Sequence, residues 1–129
     1  MRRLYPAAAA ARIFVVEGDI PGDQPARYYH ANRCIVIRSG MPNAESACAF
    51  GHELGHAHFG HLCTLGAVEC IRQERQADEY AASMLITEES YRSAERLCGP
   101  HVGAIAYCLD VTPRIVLAWC SLRNRREAK

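Results

Sequence analysis

The sequence predicts an α+β domain in which a small three-stranded sheet packs on two long helices, followed by a helical tail. Two observations support this fold class. The segments with strand character all lie before residue 39, and the long helical segments follow them. No low-complexity linker or internal repeat divides the chain. We therefore expect a single domain over residues 1–129, with the core at 1–87 and a helical subregion at 88–129.

The predicted sheet occupies the first part of the chain. A β-branched run that stops at Gly18 is typical of a strand, and prolines after it predict a loop. Two further strand-like runs around Ala31-Asn32 predict a hairpin. The predicted elements here are a short helix at 7–11, strands at 13–17, 28–30 and 34–37, and a hairpin turn at 31–32.

The predicted helices follow. Asn43 is a favourable N-cap for a helix that runs to about Gly60. Gly51 and Gly55 lie inside this helix, and each costs about 1 kcal/mol relative to alanine. We therefore expect another element to pack very close to that face. The later predicted helices cover 68–86, 88–97, 101–109 and the segment from 113 onward, with Thr87 and Thr112 as N-caps.

The helix at 68–86 has two contrasting faces. One face is polar and is predicted to be a solvated stripe; it carries Arg72, Arg75, Gln76, Glu79 and Ser83. The other face is small and apolar at Ala77, Ala81 and Leu85, yet it contains Glu74 and Asp78 four residues apart. Acids on a core-facing stripe are costly unless they are paired or bind a metal, so this face indicates a site.

The first long helix contains the pattern HExxH in His52-Glu53-Leu54-Gly55-His56. Residues four apart share a helix face, so His52 and His56 can bind one Zn²⁺ ion. Glu53 can then reach a water molecule on that ion as the general base. The pattern alone also fits a buried helix with incidental histidines, and the two downstream carboxylates favour the metal site.

A catalytic zinc site needs a third protein ligand. The extended pattern HExxHxxGxxH is excluded because Phe59 and Leu62 occupy its glycine and histidine positions. Glu74 is the predicted third ligand, and Asp78 is placed to accept the second N–H of a ligand histidine. Glu69 is the competing ligand, although it has no carboxylate four residues further on.

Other polar residues have weaker assignments. The candidates for a group that polarises the substrate carbonyl are His101, Tyr80 and Tyr91. His58 and His61 are predicted to be solvated or to support the ligands, and a structural zinc site formed by His58, His61, Cys63 and Cys70 is an alternative with poor spacing.

The tail resembles a helix-turn-helix unit with local positive charge from Arg114, Arg123, Arg125, Arg126 and Lys129, which suits phosphate contact. The alternative, which we favour, is that these helices cap the core and bury Val116 and Trp119. The net charge of the chain is only +1, which predicts weak binding to nucleic acid and gives no attraction to a membrane.

Cysteine usage and hydropathy predict a cytoplasmic protein. The seven cysteines are odd in number and widely spaced, as expected for free thiols in a reducing compartment. The alanine run at 7–11 is too short for an export signal, and no segment reaches the roughly 18 apolar residues of a membrane span.

Two segments, HELGHAHFGH and ERQADEYAASMLI, resemble the ImmA/IrrE family of zinc metallopeptidases over roughly residues 28–87. The family pattern is HELGH followed by E-x-x-A-[DN]-x-[FY]-A-x-x-[LM]-L, and this chain departs from it with Ile86-Thr87 in place of Met-Pro. The resemblance implies a gluzincin-like fold, one catalytic zinc ion and endopeptidase activity. It assigns His52, His56 and Glu74 as ligands, Glu53 as the base and Asp78 as the partner of a ligand histidine.

The resemblance also implies a protein substrate, such as a cytoplasmic DNA-binding repressor of the phage or mobile-element type. An extended substrate is expected to add to the sheet near Cys34–Ile37. The alternative function is a non-catalytic regulator that binds DNA or a partner protein through the same scaffold.

Overall fold

The structure, a computed structural model, describes residues 3–61 and 67–128, apart from the side chain of Ala67. Six α-helices and a three-stranded sheet occupy these residues, so the predicted α+β class is confirmed. The elements in order are α1 Leu4–Ala10, β1 Phe14–Gly18, β2 Ala26–Tyr29, β3 Cys34–Arg38, α2 Asn43–Phe59, α3 Ala67–Leu85, α4 Glu88–Cys98, α5 Val102–Leu109 and α6 Pro113–Glu127.

The sheet has the order β1-β3-β2, with β1 parallel and β2 antiparallel to β3. The predicted hairpin of β2 and β3 is confirmed, and the 3-10 turn His30–Asn32 joins its strands. The prediction that a peptide could add beside Cys34–Ile37 is wrong, because β3 is the central strand. Both of its edges already carry hydrogen-bonded neighbours, and β1 and β2 form the edges of the sheet.

One face of the sheet packs against α2. The alternation along β3 buries Ile35 and Ile37, which join Phe50 and Leu54 of α2 in one apolar cluster. Leu4 of α1 completes this cluster, and α1 begins there rather than at the predicted residue 7. The sheet therefore supports the helix that carries both histidines of the HExxH pattern.

Helices α2 and α3 approach each other closely at the two glycines of α2. A Cβ atom at Gly51 would lie 2.8 Å from the Cβ of Ala81, and one at Gly55 would lie 2.9 Å from the Cα of Ala77. Such distances are shorter than any ordinary contact, so the expected close packing on this face is confirmed. The approach brings the acids of α3 next to the histidines of α2.

Replacement of Gly55 by alanine is expected to destabilise the protein by about 1–3 kcal/mol, the usual range for overpacking. The added methyl group would meet backbone atoms of Ala77 at 2.9 Å, so a side-chain rotation cannot relieve the contact. The strain outweighs the gain of about 1 kcal/mol in helix propensity. Urea unfolding measures the change in free energy, and Gly18→Ala is the control because its Cβ would lie 3.6 Å from Val36. A Gly55→Ala protein as stable as the wild type would contradict this prediction.

The structure corrects two local predictions on the helices. Pro42 is the N-cap of α2, and Asn43 is already helical and makes no side-chain capping bond. Glu79 does not belong to a solvated stripe on α3, because it is only 7% exposed and forms an ion pair with Arg125 of α6. Helix α6 covers that side of α3, which the periodicity of α3 alone could not reveal.

The C-terminal helices form a second apolar cluster with the end of α3. Val116 and Trp119 of α6 are buried in it with Ile105 of α5 and Tyr91 of α4, as expected if the tail caps the core. Thr87 caps α4 through a reciprocal pair of hydrogen bonds with Ser90. Among the described helices, none is by itself long and apolar enough to cross a membrane; α5 and α6 meet that test only as a pair bent by 102°.

Candidate metal centre

The two histidines of the HExxH pattern converge on the side of α2 that faces α3. Because they are one helical turn apart, their Nε2 atoms lie 3.0 Å from each other. Both rings are mostly buried, and the side chain of His52 is 13% exposed. Burial lowers the pKa of His56, which favours the neutral imidazole that binds a metal.

Glu74 of α3 lies against both rings. Its Oε2 atom is 2.8 Å from Nε2 of His52, and its Oε1 atom is 3.2 Å from Nε2 of His56. Tetrahedral zinc with bonds of about 2.0–2.1 Å separates its ligand atoms by about 3.3 Å, so these distances fit one ion. The three side chains can hold a metal ion. The side chain of Glu74 is 55% exposed, so this side of the cluster is open to solvent and substrate.

Each histidine has a partner for its remaining ring nitrogen. Nδ1 of His52 lies 2.7 Å from Oδ1 of Asp78, one turn beyond Glu74 on α3. Nδ1 of His56 lies 3.0 Å from Nδ1 of His61, whose Nε2 lies 2.9 Å from Oε1 of Gln76. Such partners fix the tautomer and the orientation of a ligand imidazole.

Glu53 occupies the position next to His52 and points toward the sheet. Its Oε2 atom accepts a hydrogen bond of 3.1 Å from the backbone N–H of Tyr28 on β2. Burial raises the pKa of Glu53 to about 7, although His52 and the N–H of Tyr28 act in the opposite direction. A carboxyl group with such a pKa suits general acid–base work near neutral pH.

A cavity of about 650 Å³ joins these residues to the edge of the sheet. Its walls come from β2, α2, α3 and the first turn of α6. The residues that line it include Ala26, His52, Glu53, Glu74, Asp78 and Arg114. A cavity of this size can hold several residues of an extended peptide.

Several residues considered from the sequence lie elsewhere. Glu69 pairs with Arg72 at 3.3 Å and is not a member of the metal-binding cluster. The three candidates for polarising the carbonyl do not line the cavity: His101 caps α5, Tyr80 stacks on His58 and Tyr91 stacks on Trp119. The alternative structural zinc site includes Cys63, which lies outside the described residues.

The main contact near the site that the sequence did not reveal is made by Arg114. The sequence suggested for it only the less favoured role of phosphate contact, whereas its guanidinium forms an ion pair with Asp78 beside the metal-binding residues. Arg123 and Arg125 also form ion pairs with other residues of the chain, Glu88 and Glu79 respectively. These pairings depend on how α6 docks on the preceding helices, which no local pattern in the tail encodes.

Comparison with known families agrees with this geometry. Residues 10–102, more than half of the chain, match a peptidase family described as the IrrE N-terminal-like domain. No curated protein matches the chain. The matched range includes the sheet, α2 and α3, so it contains both histidines and the glutamate that can hold a metal ion. The resemblance expected from the HELGH and ERQAD segments is confirmed, and the chain belongs to the IrrE N-terminal-like peptidase family.

Proposed function

We propose that this protein is a zinc-dependent endopeptidase. The observation that supports it is the convergence of His52, His56 and Glu74 within metal-binding distance, beside the carboxyl group of Glu53. Two imidazole nitrogens and one carboxylate form a donor set typical of catalytic zinc, which keeps a fourth position for water. His52, His56 and Glu74 would hold the ion.

When bound by His52, His56 and Glu74, a zinc ion would supply Lewis acidity to the scissile carbonyl and would lower the pKa of a bound water molecule toward about 7. Glu53 takes a proton from the attacking water at its carboxylate and later delivers this proton to the leaving amine. The N–H of Tyr28 holds that carboxylate in place at 3.1 Å. Asp78 keeps the ring of His52 in the orientation that presents Nε2 to the ion.

The edge of β2 is the proposed binding position for an extended substrate. β3 pairs with one side of β2, and the N–H of Tyr28 is directed to Glu53 on the other side. A peptide strand added along β2 would therefore run past the catalytic carboxylate. Ala26 at the start of β2 and Pro25 just before it line the same cavity as Glu74, which supports the placement.

The proposed substrate is a cytoplasmic DNA-binding repressor of the phage or mobile-element type, and the proposed location of the enzyme is the cytoplasm. This part of the proposal rests on the family resemblance. A regulator that binds DNA directly is less well supported, because Arg114, Arg123 and Arg125 are engaged in ion pairs within the protein.

Removal of the metal tests the proposed activity. The zinc-loaded protein is incubated with purified cytoplasmic repressors and with a peptide library, and new amino termini are identified by mass spectrometry. We expect internal cleavage that a zinc chelator abolishes and added Zn²⁺ restores. A zinc-loaded protein that cleaves none of these substrates, and instead binds DNA or an intact partner, would support the regulator.

A further inference from the structure

We propose that Arg114, in the first turn of α6, is a positioning residue of the metal centre. It lies beyond the family match at residues 10–102, and its guanidinium holds Asp78 in the orientation that fixes His52. The inference rests on the proposed zinc site, and it assigns to the C-terminal helix a part in metal binding.

The contact between Arg114 and Asp78 is bidentate. Nε of Arg114 donates to Oδ2 at 2.8 Å, and Nη2 donates to Oδ1 at 2.8 Å. The same Oδ1 atom lies 2.7 Å from Nδ1 of His52. One carboxylate oxygen therefore links the guanidinium to the ligand imidazole. A planar guanidinium forms this fork with a carboxylate, whereas a lysine ammonium acts as a single point charge.

This bidentate contact restrains the carboxylate of Asp78 in a way that a single hydrogen bond to His52 cannot. The terminal torsion of an aspartate is broad, so one hydrogen bond to an imidazole leaves the carboxylate free to rotate. Two further bonds from Arg114 fix both oxygen atoms. Together with the contact to His52, these bonds hold Oδ1 of Asp78 against Nδ1 of the imidazole.

The backbone that carries Arg114 is anchored independently of its side chain. Ile115 and Val116 are buried in the C-terminal cluster, and the N–H of Thr112 donates to Sγ of Cys48 on α2 at 3.4 Å. The side chain of Arg114 is itself 65% exposed, so it contributes little to packing. Its replacement should therefore leave α6 docked while it releases Asp78.

A second arginine of α6 provides a matched control. Arg125 pairs with Glu79, the residue that follows Asp78 on α3, so it joins the same two helices. Glu79 is not one of the three metal-binding residues and does not line the cavity. Loss of Arg125 would leave a buried carboxylate without its partner, which should lower the urea concentration at the midpoint of unfolding. It should not change the environment of His52.

The experiment compares full-length wild type, Arg114→Ala, Arg114→Lys and Arg125→Ala. Zinc affinity is measured by competition with a chromophoric chelator, the absorption spectrum of the Co²⁺-loaded protein reports ligand geometry, and urea unfolding of the metal-free protein reports stability. We expect Arg114→Ala to bind zinc about 10-fold more weakly, the lower end of the effect of losing a ligand's partner. Its Co²⁺ spectrum should change, and Arg114→Lys should fall between Arg114→Ala and wild type. Arg125→Ala should be less stable with unchanged zinc affinity.

Unchanged zinc affinity and Co²⁺ spectrum in Arg114→Ala would overturn the inference. An equal loss of affinity in Arg114→Ala and Arg125→Ala would also overturn it, since general docking of α6 would then explain both. The test of the proposed peptidase activity is independent of this one. If the wild type cleaves no peptide but Arg114→Ala still weakens zinc binding selectively, the positioning role of Arg114 is supported and the endopeptidase proposal is not.

Discussion

The Glu53→Gln variant is expected to bind zinc like the wild type and to hydrolyse peptide about 10²- to 10⁴-fold more slowly, the usual contribution of a general acid–base group. Glutamine has nearly the same shape, and its carbonyl oxygen can still accept the hydrogen bond from the N–H of Tyr28. The amide cannot take a proton from water near neutral pH. Values of kcat/KM on a cleaved peptide, measured beside zinc content, separate loss of the base from loss of the metal.

Glu45→Gln is the matched control for this experiment. Glu45 lies in the first turn of the same helix and lines the same cavity, but it is not one of the three metal-binding residues. The same change of acid to amide there should alter hydrolysis little. Equal rates in wild type and Glu53→Gln would show that Glu53 is not the base. Loss of zinc from Glu53→Gln would instead assign Glu53 a part in metal binding.

The parts of the site that the sequence predicts are those set by helix periodicity. His52 and His56 share a face because they are one turn apart, and the same rule places Glu74 and Asp78 together on the next helix. Gly51 and Gly55 indicate where the two helices approach. The sequence therefore predicts which face of α2 and which face of α3 carry the site, although not the contact between them. The structure adds the distances of 2.7 to 3.2 Å that join them.

The features that the sequence does not predict depend on contacts between distant segments. The central position of β3 follows from its parallel pairing with β1, and residue alternation does not encode strand order. Arg114 and Arg125 both look like surface cations in a basic tail. Their pairing with Asp78 and Glu79 arises only when α6 docks across α3. The same docking explains why Glu79, on a face that looks solvated, is buried.

The Glu74→Ala variant is expected to lose zinc affinity by about 10²-fold or more. Zinc sites with a full set of protein ligands bind with about 10–16 kcal/mol, so one ligand among several contributes roughly 3 kcal/mol. Glu74 contacts both histidine nitrogens, and its half-exposed side chain adds little to the core. Zinc competition should therefore show a large loss of affinity, while urea unfolding of the metal-free protein should show little change.

Glu69→Ala distinguishes the two carboxylates that the sequence left in competition. Glu69 lies on the same helix, but its carboxylate pairs with Arg72 at 3.3 Å, an exposed pair worth about 0–1 kcal/mol. We expect this variant to bind zinc and to hydrolyse peptide like the wild type. If Glu69→Ala lost zinc and Glu74→Ala retained it, the ligand assignment would be wrong, and the roles of Asp78 and Arg114 would have to be reconsidered. If both variants retained zinc, neither Glu69 nor Glu74 would be the third ligand.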